Sequence, residues 1–304
     1  MKILINKFST KFTSNCLLII GNFDGLHKGH LSILTEAINL KKQKSYSKIG
    51  LLTFEPNPKE FFFNLKNFKI TKLNDKIEIL KKLKIDFLHV VKFNKKFRNF
   101  SAEDFCKKIL KKKINPSTII VGKEFKFGKN RSGNIQFLKN FFNIKIAKQK
   151  KINNLKISSS TIRKFLQQGK IKQANYLLGR YWSISGKVVK GNRIGRKIGF
   201  KTANVYLDEY VNPMHGVYAV KVKFDNKIYK GISNFGIAPT IRNNKKPVLE
   251  IHFFKKIKNI YNKTVKVDFI SFVRKEKKFK SKKNLTDQIK KDINKAKKIL
   301  ENVR

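Results

Sequence analysis

The sequence GNFDGLHKGH occupies residues 21–30, between a short apolar run at residues 17–20 and a helix-like segment at residues 31–44. This order predicts a strand, a tight loop and a helix start. The three glycines allow a sharp turn, and His27 and His30 lie at the predicted helix N-terminus, where free N–H groups and the helix dipole attract phosphate. We therefore predict a phosphate-handling site. The alternative is an ordinary glycine turn with two surface histidines, which the flanking GNFDG disfavours.

Length and composition predict two soluble domains. A chain of 304 residues exceeds the usual size of one domain, and its apolar content is 40%. No apolar run approaches the roughly 20 residues of a membrane helix. Residues 1–20 lack the pattern of a secretory signal, so we expect a cytoplasmic protein without membrane association. Cys16 and Cys106 are too few for a disulfide framework or a thiolate metal site, and we expect both to be buried and reduced.

The formal net charge of +52 makes nucleic-acid binding an alternative function, because Lys and Arg neutralise phosphates. However, only nine of the 71 basic residues are Arg, and the lysines are spread along the chain among Asn, Ile and Phe. These four abundant residue types have A/T-rich codons, so the base composition of a genome would enrich them together without selection for a ligand. We therefore expect non-specific affinity for polyanions but no specific nucleic-acid partner.

The first half of the chain alternates strand and helix patterns, which is typical of an α/β fold with a doubly wound, mostly parallel sheet. Helices are predicted at residues 75–83, after a cap at Ser101, and in two short segments that end at Gly169 and Gly179. We expect ligands at the carboxyl ends of the strands. Apolar runs predict these strands at residues 17–20, 49–54, 87–91 and 118–121.

After about residue 182 the apolar pattern changes to a period of two, which predicts a small antiparallel β-barrel or sandwich. Residues 218–224 alternate in this way, and residues 248–254 form another predicted strand. We place the domains at residues 1–183 and 184–304, joined without a long linker. A C-terminal helix would lay one apolar face on the second domain, and that face carries Leu285, Ile289, Ile293, Ala296 and Leu300.

Two further stretches of the first half carry candidate ligand groups. ISSSTIR, residues 157–163, places hydroxyl groups at a helix start and then an arginine, which suits a triphosphate. A serine N-cap followed by a solvated arginine is the alternative. VGKEFKFGKNRSG, residues 121–133, combines aromatic, glycine and basic residues in one long loop. That loop could form an edge for a flat ring, and a plain surface turn is its alternative.

The second half carries candidate metal ligands and a candidate base. GNRIGRKIGFKTAN, residues 191–204, is glycine-rich but lacks the ending of a Walker A loop. It closes with Thr202 and Asn204, neutral oxygen ligands that could share a metal on an extended chain. Glu250 lies in the predicted strand VLEIHFF, where a carboxylate is costly unless it is paired or used in chemistry, so we interpret it as a general base. We interpret His252 as structural.

Together these motifs resemble, in their order, those of the bacterial bifunctional riboflavin kinase and FAD synthetase family. The resemblance also rests on GVYA at residues 216–219, NFGIAPT at residues 234–240 and FVRKEKKF at residues 272–279, and it covers nearly the whole chain. It implies a nucleotidylyltransferase domain of the HxGH class, which makes FAD from FMN and ATP. It also implies a riboflavin kinase domain, a small β-barrel that makes FMN from riboflavin and ATP. Both reactions use Mg2+.

The resemblance implies a role for each matching residue. His27 and His30 would stabilise the charge on the α-phosphate and the leaving pyrophosphate as the FMN phosphate attacks. Glu250 would accept the proton of the riboflavin 5′-hydroxyl, and Thr202 and Asn204 would hold Mg2+. The expected nucleotide-binding residues are Gly21, Asn22, Asp24, Gly29, Ser159, Ser160, Arg163, Gly195, Arg196 and Gly199. The expected flavin-binding residues are Glu124, Phe125, Arg131 and Arg274.

Three positions depart from the family pattern. Lys201 replaces a proline beside Thr202, and the loss of the proline ring should loosen the loop without removing a ligand. Ser160 replaces a threonine and keeps the hydroxyl, and Glu124 stands where Asp or Asn is usual. Two alternatives remain open: a chain in which only the adenylyltransferase survives, and a basic nucleic-acid-binding protein that keeps the enzyme fold. The intact catalytic and metal-binding candidates argue against both.

Overall fold

The structure is a computed structural model that describes residues 1–43, 46–148, 151–152, 155–190, 199–237, 246–255, 257 and 259–303. The chain forms two units, Met1–Lys66 with Leu73–Ser158, and Asn67–Lys72 with Ser159–Arg304. The first unit contains a parallel sheet and the second a closed antiparallel barrel, which confirms the fold class predicted from the sequence.

Six of the described strands form the sheet of the first unit, and every neighbouring pair is parallel. They are β1 (Lys2–Ile5), β2 (Cys16–Ile20), β3 (Lys48–Glu55), β4 (Phe87–Lys92), β5 (Thr118–Gly122) and β6 (Asn143–Ala147). Their order is β1-β4-β3-β2-β5-β6, so the chain leaves β2 toward β3 on one side and later adds β5 on the other. The loop after β2 therefore lies at the switch point where sheets of this kind bind ligands.

Helices connect these strands and bury an apolar cluster on each face of the sheet. Ser101 caps its helix as predicted, because its Oγ accepts a hydrogen bond of 2.9 Å from the N–H of Asp104. Cys16 and Cys106 are buried and free, also as predicted. The described helices of this unit are α1 (Thr10–Thr13), α2 (Lys28–Gln43), α3 (Pro58–Phe62), α4 (Leu73–Lys81), α5 (Lys95–Arg98), α6 (Ala102–Asp104), the π-helix Phe105–Ile114, the 3₁₀-helix Lys129–Arg131 and α7 (Ile135–Lys139). A short hairpin pairs β7 (Lys151–Ile152) with β8 (Leu155–Lys156).

The second unit is a barrel with the closed strand order β10-β13-β12-β11-β14-β9. Its strands are β9 (Trp182–Val189), β10 (Ala203–Tyr206), β11 (Gly216–Phe224), β12 (Lys227–Ile237), β13 (Pro247–Phe253) and β14 (Thr264–Lys275). Aromatic side chains fill the interior, where Trp182, Tyr218, Phe235 and Phe269 are almost fully buried. Closure into a barrel leaves none of these strands as an open edge.

Three described helices complete the second unit: α8 (Ser159–Gln167), α9 (Ile171–Leu178) and the C-terminal helix Lys282–Glu301. The first two are followed, as predicted, by Gly169 and Gly179, each with a φ of 72° that favours glycine. The C-terminal helix buries Ala296 and Leu300 against strands of the barrel, which is the apolar face predicted from its spacing. None of the helices within the described ranges combines the length and the apolar character that crossing a membrane requires.

The segment Asn67–Lys72 belongs to the second unit although both of its neighbours along the chain lie in the first. The N–H of Lys69 donates to the carbonyl of Glu209 over 2.9 Å, and the N–H of Val211 donates to the carbonyl of Lys69 over 2.8 Å. Trp182 adds a bond of 3.0 Å from its Nε1 to the carbonyl of Ile70. No local pattern in the sequence predicts that this segment joins the second unit, because its hydrogen-bond partners lie more than a hundred residues away.

Candidate active sites

The loop between β2 and α2 places Asp24 and His27 in a buried setting, where each is 5% exposed. Phe23 and Leu26 adopt positive φ angles of 49° and 39°, which are costly for residues with a side chain. Both side chains are buried in the apolar cluster on this face of the sheet, so their packing stabilises the unusual backbone. Burial of these two side chains therefore offsets the cost of the backbone angles in this loop.

His27 and His30 lie face to face at the start of α2. Their ring centroids are 3.7 Å apart and the ring planes differ by 15°. The backbone N–H of His30 donates to Nδ1 of His27 over 3.3 Å. Because Nδ1 accepts this bond, the proton of a neutral His27 ring resides on Nε2, which makes Nε2 the hydrogen-bond donor.

Two glycines of the loop lie in close contact with aromatic rings. A Cβ atom at Gly29 would lie 3.1 Å from Nδ1 and 3.2 Å from Cε1 of His27, so a side chain there would displace the imidazole ring. A Cβ atom at Gly21 would lie 3.2 Å from Cζ of Phe23. Gly29, which we interpreted as part of a nucleotide loop, thus also leaves room for the His27 ring.

Lys76 of α4 approaches the same loop and was not singled out from the sequence. Its Nζ donates to the carbonyl of Asn22 over 2.9 Å and lies 3.4 Å from Oγ1 of Thr53. The hydroxyl of Thr53 donates to the same carbonyl over 3.1 Å. Lys76 is only 4% exposed and Thr53 is fully buried. The one available signal in the sequence is a lysine at an inward-facing position of a predicted amphipathic helix.

The ISSSTIR candidates lie at the start of α8, in the second unit, whereas the histidines lie in the first. Ser159 is half-buried and Ser160 is exposed. Arg163 is oriented by Phe68, because its Nε donates to the carbonyl of Phe68 over 2.8 Å and its guanidinium lies 3.7 Å from the centre of the Phe68 ring. The roles of these three residues in nucleotide binding stay predictions.

The predicted flavin loop follows β5. Phe125 packs partly buried against Phe127, with the ring centroids 5.5 Å apart and an interplanar angle of 21°, while Glu124 and Arg131 are exposed. Reciprocal backbone hydrogen bonds of 3.0 and 2.9 Å join Phe127 to Gly133 and close the loop. The loop thus offers a stacked aromatic pair beside polar side chains.

In the barrel, three polar side chains lie in one row across neighbouring strands. Glu250 of β13 is in register with Asn204 of β10 on one side and with Asn234 of β12 on the other. Their sequence neighbours Val205 and Phe235 are fully buried, so the row faces away from the interior. The structure therefore brings together the predicted base Glu250 and the predicted metal ligand Asn204, and it adds Asn234.

A second carboxylate affects the proton affinity of the candidate base. Burial raises the pKa of Glu250 above its ordinary value, and the negative charge of Glu276 raises it further. Glu276 is positioned by a bond of 3.3 Å from Nδ2 of Asn234 and lies 3.8 Å from Nδ1 of His215. Asn234 lies in the motif NFGIAPT and Glu276 in FVRKEKKF, so these two motifs were the signal by which the sequence could have identified them.

Asn204 has the features of a ligand for a hard cation. Its Oδ1 is buried and accepts no hydrogen bond from the residues that the structure describes. A buried amide oxygen without a donor is costly unless a ligand satisfies it, and neutral oxygen atoms suit Mg2+. Thr202 lies two residues earlier on the approach to β10 and is half-buried. The backbone just before Thr202 is held by His252, whose Nδ1 donates to the carbonyl of Lys201 over 3.0 Å.

Arg274 is engaged with the C-terminal helix. Its Nε and Nη2 donate to Oδ2 of Asp292 over 2.8 and 2.7 Å, and its Nη1 donates to the carbonyl of Lys275 over 2.8 Å. These bonds give Arg274 a structural role, and its contact with flavin stays a prediction.

Of the three residues predicted for the phosphate loop, Gly199 has a φ of 85°, while Gly195 and Arg196 lie outside the described residues.

Comparisons with known proteins cover both units. A sequence model of FAD synthetase matches residues 9–161, and one of riboflavin kinase matches residues 178–300. The bifunctional riboflavin kinase/FMN adenylyltransferase of Buchnera aphidicola subsp. Schizaphis graminum is 43% identical to this chain over 297 residues, which is 95% of each protein. The Haemophilus influenzae protein of the same name is 38% identical over 297 residues, 95% of this chain and 96% of its own.

A solved structure shares the fold over its full length. The crystal structure titled as a macrolide-efflux protein from Streptococcus pneumoniae has a TM-score of 0.87 and 28% sequence identity, with all of both chains covered. Its title names an activity that differs from those of the two sequence relatives. The matched family models name the same two activities as those relatives.

Proposed function

The chain belongs to the family of bifunctional riboflavin kinase/FMN adenylyltransferases, and from this premise we propose how its residues carry out the two reactions. It phosphorylates riboflavin to FMN with ATP, and it then transfers the adenylyl group of ATP to FMN to give FAD and pyrophosphate. We assign the adenylyltransferase to residues 1–183 and the kinase to residues 184–304. Family models that match residues 9–161 and 178–300 support two domains in this order. The second model begins six residues before our boundary, and the second structural unit takes up the chain again at Ser159.

For adenylyl transfer, we assign the stabilisation of developing charge to His27 and His30. The FMN phosphate attacks the α-phosphate of ATP in line, and pyrophosphate leaves without a covalent enzyme intermediate. The hydrogen bond to Nδ1 of His27 leaves its Nε2–H as the donor, and the stacked His30 ring orients it. Donors fixed in this way are most valuable where charge increases in the transition state. The proposed nucleotide contacts are Gly21, Asn22, Asp24, Gly29, Ser159, Ser160 and Arg163.

For the kinase reaction, Glu250 accepts the proton of the riboflavin 5′-hydroxyl as that oxygen attacks the γ-phosphate of ATP. Its raised pKa supports this assignment, because a base whose pKa lies nearer the working pH takes up a proton more readily. Gly195, Arg196 and Gly199 would cover the phosphates. The proposed flavin contacts of the protein are Glu124, Phe125, Arg131 and Arg274.

Mg2+ fits the oxygen atoms that Asn204 and Thr202 present. The buried Oδ1 of Asn204, which has no donor among the described residues, is the observation that supports this assignment. Bound Mg2+ would neutralise charge on the ATP phosphates. Around this site the chain itself orients the ligands, since β10 pairs with β13 and sets Asn204 opposite Glu250.

A single incubation tests the two activities together. Purified protein mixed with riboflavin, ATP and Mg2+ should produce first FMN and then FAD, which chromatography separates. Production of FAD only when FMN is supplied would favour the alternative in which the kinase is lost through Lys201. The absence of both products would contradict the proposed function.

We further propose that the protein is cytoplasmic and has no specific nucleic-acid or membrane partner.

A further inference from the structure

Lys76 is a buried cation at an inward-facing position of α4. Leu80 lies four residues further along the same face and is fully buried, and Lys76 is 4% exposed. A lysine is almost never buried to this extent unless its ammonium group has a specific partner. An apolar residue here would pack with the core, so the cation calls for an explanation in terms of what it contacts.

One contact of Lys76 lies at the start of the loop between β2 and α2. The carbonyl of Asn22 accepts hydrogen bonds from both Nζ of Lys76 and Oγ1 of Thr53, at 2.9 and 3.1 Å. These two donors come from α4 and β3, outside the loop, and Lys76 lies 54 residues from Asn22 along the chain. A charged donor makes a stronger hydrogen bond than a neutral one, especially where water is excluded. The carbonyl is thus fixed from two directions.

We propose that Lys76 is a positioning residue for adenylyl transfer, which acts by holding the Asn22 carbonyl and thereby the loop that carries His27 and leads to His30 at the start of α2. This inference rests on the proposed role of the two histidines. It assigns to Lys76 no contact with the reacting atoms. Its effect is expected on the turnover of FAD formation and not on the kinase reaction.

The test uses four variants of the full chain, assayed at a temperature at which thermal melting shows each to be folded. Lys76→Met removes the charge and keeps the length, and Thr53→Val removes the hydroxyl and keeps the shape. The double variant combines them. Lys81→Met is the matched control, because Lys81 lies on the same helix and is exposed. Each protein is assayed for FAD formation from FMN and for FMN formation from riboflavin.

We expect Lys76→Met to lower kcat for FAD formation by about 10- to 100-fold, in keeping with the loss of a charge-assisted hydrogen bond at a buried acceptor. Thr53→Val should lower it by about 3- to 10-fold, and Lys81→Met should leave it unchanged. Because both donors act on one carbonyl, the double variant should lose less than the product of the two single losses. Riboflavin phosphorylation should stay normal in all four.

Several outcomes would overturn the inference. An unchanged kcat for FAD formation in folded Lys76→Met would overturn it. A double variant whose loss in kcat equals the product of the two single losses would also overturn it. If Lys76→Met does not fold, Thr53→Val decides, and a normal kcat in that variant contradicts the proposal. His30→Ala separates the two levels of the argument. Normal FAD formation by His30→Ala would refute the proposed role of His30 in catalysis, on which this inference rests, whereas its loss together with normal Lys76→Met activity would refute only the role of Lys76.

Discussion

Glu250 lies near a second carboxylate, and that neighbour affects the pH range in which it can act as a base. Burial and the charge of Glu276 both raise its pKa, so the ionised form that accepts a proton is lost at a higher pH than for an ordinary glutamate. Riboflavin phosphorylation should therefore decline on the acid side as pH falls through this raised pKa. Glu276→Gln removes one of the two causes, so it should shift that acid limb to lower pH. An unshifted profile of kcat/KM against pH would contradict this coupling.

Replacing the carboxylate itself tests its role directly. Glu250→Gln keeps the shape and removes the base, so it should lower riboflavin phosphorylation by ~10²- to 10⁴-fold, the usual contribution of general-base catalysis. ATP binding, measured by calorimetry, should persist because the phosphate contacts are unchanged. Normal FMN production by this variant would exclude Glu250 as the base.

The stacked histidines give a complementary prediction for the other activity. His30→Ala removes one ring of the pair and should abolish FAD formation from FMN, because the donor on His27 loses the ring that orients it. FMN formation from riboflavin should stay near normal, since Glu250 and Asn204 lie in the other unit. Both rates can be measured on one preparation. Equal loss of both activities would count against two separate sites.

At the scale of elements, the backbone before β10 lacks the proline of the family pattern but keeps a hydrogen bond from His252. Lys201 stands where the family pattern has proline, and its carbonyl accepts a hydrogen bond of 3.0 Å from His252. A proline would restrict the same backbone further in the unfolded and unliganded states. Lys201→Pro should therefore tighten the apparent binding of ATP or Mg2+ by a few-fold, on the order of 1 kcal/mol, with little change in turnover.

Titration of riboflavin kinase activity with ATP and with Mg2+ measures this effect. The matched control is Lys201→Ala, which removes the same side chain without adding a ring. A loss of activity in both variants would show that the lysine side chain has a positive role at the phosphates. In that case Lys201 would not be a tolerated replacement.

At the scale of the whole molecule, we expect a buried histidine to make folding sensitive to acid. His89 of β4 is 1% exposed and stacks on Phe8 at a centroid distance of 5.1 Å, and burial lowers its pKa from 6.5 to about 4. Between these pH values the unfolded chain binds a proton that the folded chain does not. The free energy of unfolding should therefore be highest above pH 6.5 and fall by on the order of 3 kcal/mol as pH drops toward 4.

Urea unfolding of the wild type and of His89→Phe, at pH 7 and at pH 4.5, isolates this contribution from that of the carboxylates. Phenylalanine fills a similar space beside Phe8 and does not titrate. The variant should lose less stability between the two pH values than the wild type. An identical loss would show that His89 does not cause the acid sensitivity.

The large positive charge also belongs to the whole chain. If its lysines reflect base composition, binding to random DNA should be weak and lost between low and physiological salt, without preference for a sequence. Fluorescence anisotropy with two unrelated duplexes at several salt concentrations tests this. Tight binding of one duplex that survives physiological salt would favour a dedicated nucleic-acid function.

Periodicity and turn residues were sufficient to predict the parallel sheet, the barrel and the C-terminal helix, because each is a property of a short stretch of chain. The predicted helix at residues 75–83 is found at Leu73–Lys81, and the predicted strand at residues 248–254 is found at Pro247–Phe253. The choice between a barrel and a sandwich stayed open in the sequence. Closure depends on the pairing of β9 with both β10 and β14, which no local pattern reports.

The sequence by itself determined the type of each candidate group: the two histidines after a glycine turn, the carboxylate in a strand, and the neutral oxygen ligands that end a glycine-rich stretch. Only the tertiary structure decided which groups meet. The register that aligns Asn204, Glu250 and Asn234 arises from pairing between distant strands. The contact of Lys76 with Asn22 likewise needs α4 to pack beside β2 and β3. Local residue preferences predict elements, whereas contacts between distant residues depend on packing, and so the shape of each site followed from the fold.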